Sequence, residues 1–300
     1  MSSVKKGIIL VAISSVIYGI SPVLARFAYD EGTNSVTIAF LRSALALPFL
    51  FIIMKIRKIP FATSPVEIRD LLSAGIAVSA TTILLYSSYV YIQIGEATTL
   101  FFIFPALVSL GCVLFYKEKL TNIILIALAL SAAGVYMFSE NLSLENIKSA
   151  GSTGFLLAIA SGFTFAFYVV RVDKSSLRHI PAPKITFAVC VIAAIFSGIY
   201  GKLWYTGGLA FGMSLKGWVY AWIIALSISL VAVIFFQLGV KYMGATRAAI
   251  LATLEPIISV LCGALFLGER LSFPKIIGCA CIIVSVIIIT TAGSESGQSA

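Results

Sequence analysis

The chain has 300 residues, of which 60% are hydrophobic and 11% charged, with a mean hydropathy of +1.07 and a net charge of +9. A water-soluble domain carries about 25% charged residues to cover its surface, so this composition excludes an ordinary soluble fold and makes lipid the natural solvent. The 21 Lys and Arg sit in small groups between apolar runs rather than in a basic stripe, which argues for membrane topology and against nucleic acid as a partner.

A helix needs about 20 apolar residues to cross the hydrocarbon core. Such segments are expected at 8–25, 36–54, 71–95, 97–116, 120–139, 149–170, 185–201, 217–240, 248–267 and 276–293. They are read as helices because an isolated strand in lipid cannot satisfy its own backbone. The opening MSSVKK and its apolar run superficially resemble a signal peptide, but the run is long and is read as the first span.

Taken in order, the first span carries Ser14, Tyr18 and Ser21 with a bend expected at Pro22, and the second carries Arg42 and Pro48. Arg42 either snorkels to the headgroups or meets a carboxylate, from the substrate or from Glu255. In the third span Ser79, Thr82, Tyr86, Tyr89 and Gln93 recur at helical spacing and are expected on one face. Pro105 interrupts the fourth span and leaves the carbonyl of Phe101 weakly satisfied, as a hinge or as a fixed packing kink. Small residues of the fifth and tenth spans, Ser131, Gly134 and Gly278, read as close helix packing, with a homodimer contact as the second reading. The sixth span offers Ser161, Thr164 and Tyr168, and the eighth offers Gln237. Any one hydroxyl can merely bond its own helix, but three such stripes argue for a common water-accessible face.

Glu255 lies halfway through the ninth span, just before Pro256, whose ring opposes the carbonyl of Ala252. A carboxylate at that depth costs about 2.5–3.5 kcal/mol on insertion scales, so it is expected to face water, a cation or a proton. The other reading is a hydrogen-bonded group that stabilises the kink. The tail at 294–300 is polar, small and expected to be disordered. With the N-terminus inside, fourteen of the 21 Lys and Arg fall on the inner segments, so both termini are expected in the cytoplasm of a cell-membrane protein.

The chain also repeats itself. Shifting residues 97–121 by 151 lays Ala97, Leu100, Pro105, Leu110, Leu114, Phe115, Glu118 and Leu120 on identical partners, and Tyr91 on Tyr242. A shift of 147 pairs Gly7 with Gly154, Ser14 with Ser161, and Phe49 with Phe196. Two five-helix units are expected, at 1–145 and 146–293. Because five is odd, the second enters the membrane inverted, which is the architecture of many secondary carriers. The expected fold is therefore all-α, with ten transmembrane helices in two inverted repeats.

The doubled pattern Ala97…Pro105…Glu118-Lys119-Leu120 and Ala248…Pro256…Glu269-Arg270-Leu271 resembles the EamA-type branch of the drug/metabolite transporter superfamily. The resemblance implies a ten-helix carrier of metabolites, amino acids or drug-like amphiphiles, often an exporter. The residues expected to bind substrate or couple it to protons are Glu255, Arg42, Tyr18, Ser79, Thr82, Tyr86, Tyr168 and Gln237, with Pro105 and Pro256 as hinges. Their partner is a small molecule within the lipid bilayer.

Competing functions have less to stand on. The pattern GxxxxGK[ST] is absent, so gradients rather than ATP are expected to drive movement. A carrier of nucleotide-linked or phosphorylated sugars would need several cavity cations, and only Arg42 lies within a span. The five cysteines form no CxxC, and His179, the one histidine, sits in a charged loop. No metal site, cofactor or intramembrane catalytic centre is expected.

Overall fold

The computed structural model describes residues 3–88, 91–92, 94–137, 152–268 and 271–295. The 140–150 loop, Tyr89, Gln93, Glu269, Arg270 and the tail from residue 296 lie outside the described residues. Among those described, nine helices are long and apolar enough to cross a membrane: Ser3–Asp30, Ser35–Ile56, Pro65–Leu85, Ala97–Tyr116, Thr153–Lys174, Ala182–Leu203, Leu215–Met243, Ala245–Phe266 and Phe273–Thr291. The shorter apolar helix Asn122–Tyr136 stands at the expected fifth position. These ten are called the first to tenth spans below. Large side chains such as Phe115, Leu215 and Leu265 are 78–81% exposed, as lipid-facing groups should be.

Local chemistry sets the ends of these helices. Asn34 accepts from Thr37 N at 2.9 Å to start the second span. Ser64 and Glu67 bond each other's backbone N–H, a capping box that opens the third. Lys117 and Gly268, which are 151 apart, both turn left-handed to end the fourth and ninth spans. The described helix of the third span runs to Ser88, and Tyr91 and Ile92 lie outside any helix, short of the expected 95.

The two prolines do more than kink their helices. The fourth span is broken into Ile94–Phe101 and Phe104–Tyr116, and the ninth into Ala245–Leu251 and Leu254–Leu267. Each proline sits in the first turn of its second half-helix, where a missing N–H costs little. The expectation of a weakly satisfied carbonyl fails at Ala252, which accepts from Glu255 N at 3.0 Å in a tighter turn. Pro22 stays inside one continuous helix, whereas the second span is interrupted just ahead of Pro48. The eighth span holds a π-helical stretch, Ala225–Ala232.

Packing exchanges the halves. The first span lies on the eighth and ninth, and the sixth lies on the third and fourth. The second meets the seventh, and the fifth meets the tenth. Gly7 packs against Tyr242 while its repeat partner Gly154 packs against Tyr91, the partner of Tyr242. Helix bounds follow the same rule, since Ser35–Ile56 moved by 147 falls on Ala182–Leu203. Gly134 abuts Gly278 and Ile282, and Ser285 donates to Ala127 O at 2.6 Å, so these small residues join the fifth and tenth spans of one chain. That close approach leaves the homodimer reading without these residues.

Candidate functional site

Between the halves lies a cavity of about 520 Å³ that runs from midspan to the turn at residues 31–34. Ser14, Tyr18 and Ser21 line it from one face of the first span. Ser14 also donates to Ala232 O at 2.8 Å, which ties the first span to the end of the π stretch. Gly19 lets the first span press onto the break in the ninth: a Cβ there would stand 2.5 Å from Ile258 Cβ and 2.7 Å from Glu255 O.

Arg42 and Glu255 both line this cavity. Neither side chain has an ion-pair or hydrogen-bond partner among the described residues. Tyr18 lies within electrostatic reach of both charges. The break at Leu254 puts Glu255 in the first turn of a half-helix, where the backbone dipole favours a negative charge. Phe104, the repeat partner of Glu255, lines the same cavity.

Below this level the cavity ends on rings. Phe104 and Phe165 meet edge to face at 4.9 Å, with Phe101 5.3 Å from both and Phe236 stacked on Phe165 at 6.0 Å. Beneath them Gln237 donates to the Tyr168 hydroxyl at 2.9 Å and accepts from Thr186 at 3.1 Å. The end that carries Ser3 is then closed by ions. Asp70 is bonded by Arg171, by Ser176 N at 3.1 Å and by Ser176 Oγ at 2.8 Å. Asp173, fully buried, meets Arg178, Lys174 at 3.1 Å, and Ala245 N at 3.1 Å. Lys174 also pairs with Glu118, and Lys184 donates to Ala62 O at 2.6 Å. This belt joins the third, fourth, sixth, seventh and ninth spans.

Of the residues singled out from the sequence, Glu255, Arg42, Tyr18, Thr82 and Tyr168 line the one cavity. Ser79 does not: it is buried, and its hydroxyl donates to Gly75 O at 2.7 Å. Gln237 is also off the wall, its amide taken up by Tyr168 and Thr186. The side chain of Tyr86 lies outside the described residues. Thr81, absent from the expected stripe, lines the cavity and shares a 2.7 Å hydrogen bond with Thr164. Cys190, Ser197 and Ser229 line it too; nothing in their local sequence marks them, except that Ser229 lies in the π stretch. Among the described residues, no His, Cys, Asp and Glu gather as metal ligands would.

The EamA-like transporter family profile matches residues 5–140 and again 152–291. An uncharacterized transporter of Archaeoglobus fulgidus is 28% identical over 284 residues, covering 93% of this chain and 94% of its own. The threonine/homoserine exporter RhtA of Salmonella typhimurium is 28% identical over 285 residues, covering 93% and 88%. The uncharacterized inner membrane transporter YicL of the same organism is 23% identical over the whole of both chains. A solved crystal structure, 14% identical, superposes with a TM-score of 0.79 over 95% of this chain and 97% of its own, a likeness of fold. Matched by the same profile in each half, and similar from end to end to named transporters, the chain belongs to the EamA-like transporter family.

Proposed function

We infer that this membrane transporter is a secondary carrier that exports small amphipathic metabolites of the amino-acid kind by alternating access. In this reading residues 1–145 and 146–293 are the two moving units. Both termini are cytoplasmic in an inner membrane, the cavity faces outward and the ion belt closes the inner end. Protons are the coupling ion, exchanged at Glu255.

One observation carries the reading: a lone cation and a lone anion, Arg42 and Glu255, share one cavity sealed at its far end. A zwitterion brings a carboxylate for the guanidinium and an ammonium for the carboxylate, each a charge-assisted hydrogen bond away from bulk water. The name of RhtA supports amino-acid export, and the inner-membrane name of YicL supports the location.

Transport by purified protein in liposomes tests this, with amino acids, their N-acetyl and amide derivatives, simple amines and dyes, with and without a pH gradient. Saturable movement of free amino acids is expected, accelerated by the gradient and lost when either charged group is blocked. Equal transport of amines that lack a carboxylate would overturn the role given to Arg42.

A further inference from the structure

A second hollow, about 230 Å³, opens between the second, third and seventh spans. It adjoins the main cavity, because Ser35, Ala39, Thr82, Ser197 and Tyr205 line both. Ala39 stands three residues from Arg42 on the same helix, about 4.5 Å along its axis. The hollow thus begins about one helical turn from Arg42, within reach of the side chain of a substrate whose head group is held there. Its remaining wall includes Ser87, Tyr200 and Trp204, with Ser87 and Tyr200 hydrogen-bonded at 3.1 Å.

The repeat supplies an internal control. At the matching place in the other half, Ser35 is replaced by Ala182, Thr82 by Val233, Ser87 by Leu238 and Ser197 by Leu50. There Leu50 is fully buried and packs with Cys190, Leu230 and Ile234. Joining these helices therefore requires no hydroxyl. In the hollow, moreover, the hydroxyls of Ser35 and Ser197 have no hydrogen-bond partner among the described residues. Both open onto the hollow, where a ligand group or a water can complete them.

We propose that this hollow is a side-chain subsite that selects substrates bearing an uncharged hydrogen-bonding group, a hydroxyl or an amide, beyond the charged head. It rests on the carrier reading above. Head-group charges fix one end of the substrate, and the hydroxyl-lined hollow fixes the other. A site built to hydrogen-bond a hydroxyl discriminates against the analogue lacking it more sharply than an apolar pocket does.

The test is a side-chain series with one head group (alanine, serine, threonine, asparagine and leucine) measured in proteoliposomes. Three variants are compared with wild type: Thr82→Val, which keeps the shape, Ser87→Leu, which fills the hollow, and Tyr200→Phe, which only breaks the Ser87 bond. Wild type is expected to favour the polar side chains over leucine. Thr82→Val and Ser87→Leu should each lower the transport of serine or asparagine relative to alanine by about tenfold, chiefly through KM. Tyr200→Phe should preserve the ratio. Equal losses for every substrate in Thr82→Val would overturn the subsite and make the hollow a gap that closes as access alternates, with the carrier reading intact. If wild type moves none of the series, the carrier reading fails and the subsite falls with it.

Discussion

Glu255 gains little from its own helix. A place in the first turn of a half-helix is worth about 0.3–1 kcal/mol, less than the roughly 2.5–3.5 kcal/mol that a midspan carboxylate costs. The difference has to come from whatever enters the cavity: water, a proton or a substrate ammonium. Glu255→Gln keeps the shape and removes the titration. Accumulation driven by a pH gradient is expected to fall at least about tenfold, as for loss of a hydrogen bond to a charged group, while exchange of labelled for unlabelled substrate survives. Loss of exchange as well would make the carboxylate a counter-charge for the substrate; wild-type values in both assays would make it structural. Glu255 and Arg42 were legible because a lone charge in an apolar run has few bland explanations. Ser79 and Gln237 were not, because spacing tells which face a residue shares and not whether its own helix or a neighbour has already satisfied it. Thr81 sits two positions from Ser79, and only the packing of the sixth span decides which of them reaches the cavity.

Prolines at 105 and 256 announced an interruption, and the helices break just ahead of each, at 102–103 and 252–253. What the sequence could not carry was the change of register that follows, since the second half-helix starts afresh and makes Glu255 part of a helix N-terminus. In Pro256→Ala a new N–H at position 256 competes for the Ala252 carbonyl, now held by Glu255 N. The turn would relax toward a continuous α-helix and swing Glu255 away from Tyr18. Normal expression and membrane insertion are expected, with the maximal transport rate down about tenfold, the cost of misplacing a group that must meet its substrate. An unchanged rate would show that the break serves packing alone. The third span was read too long because apolar composition continues through Ile92, whereas Tyr91 and Ile92 lie outside any helix and the described helix runs only to Ser88.

Across the whole molecule the two ends carry different chemistry. At the Ser3 end, carboxylates with side-chain exposures of 3% and 0%, Asp70 and Asp173, are locked by cations and backbone donors. At the other end Arg26 and Asp30 form an exposed pair at 3.4 Å, of little energetic weight. Breaking a buried pair costs about 3–5 kcal/mol, so in the alternating-access reading the belt is what holds the Ser3 end closed. Asp173→Asn is expected to shift the population toward the state open at the Ser3 end by tens of fold, since about 2 kcal/mol already gives roughly thirtyfold. Single-cysteine proteins report it: thiol labelling of Cys112, now fully buried near the belt, should rise, and that of Cys190, on the cavity wall, should fall. Unaltered labelling of both would mean that the belt is not the latch. The architecture itself was open to reading, because two shifts of the sequence on itself, 147 and 151, map helix onto helix.

Those two shifts differ, and the π stretch in the eighth span accounts for part of the difference. The link from the second to the third span runs over residues 57–64, and that from the seventh to the eighth over 204–214, three residues longer. Three carries the offset from 147 to 150, which matches Pro65 to Leu215 at the helix starts. The last unit must arise inside the eighth span, before Gln237 takes the place of Tyr86, and Ala225–Ala232 is where the backbone widens. A π turn is how a helix absorbs one surplus residue without breaking. An α-helix advances about 100° per residue, so the surplus turns the first part of the eighth span relative to its last part. Deleting one residue there would restore an ordinary helix and the symmetry of the halves, and would rotate Ser229 and its neighbours off the wall they now form. Within the eighth span the duplicated scaffold is thus out of step with itself by a single amino acid, at the level of the cavity that Ser229 lines.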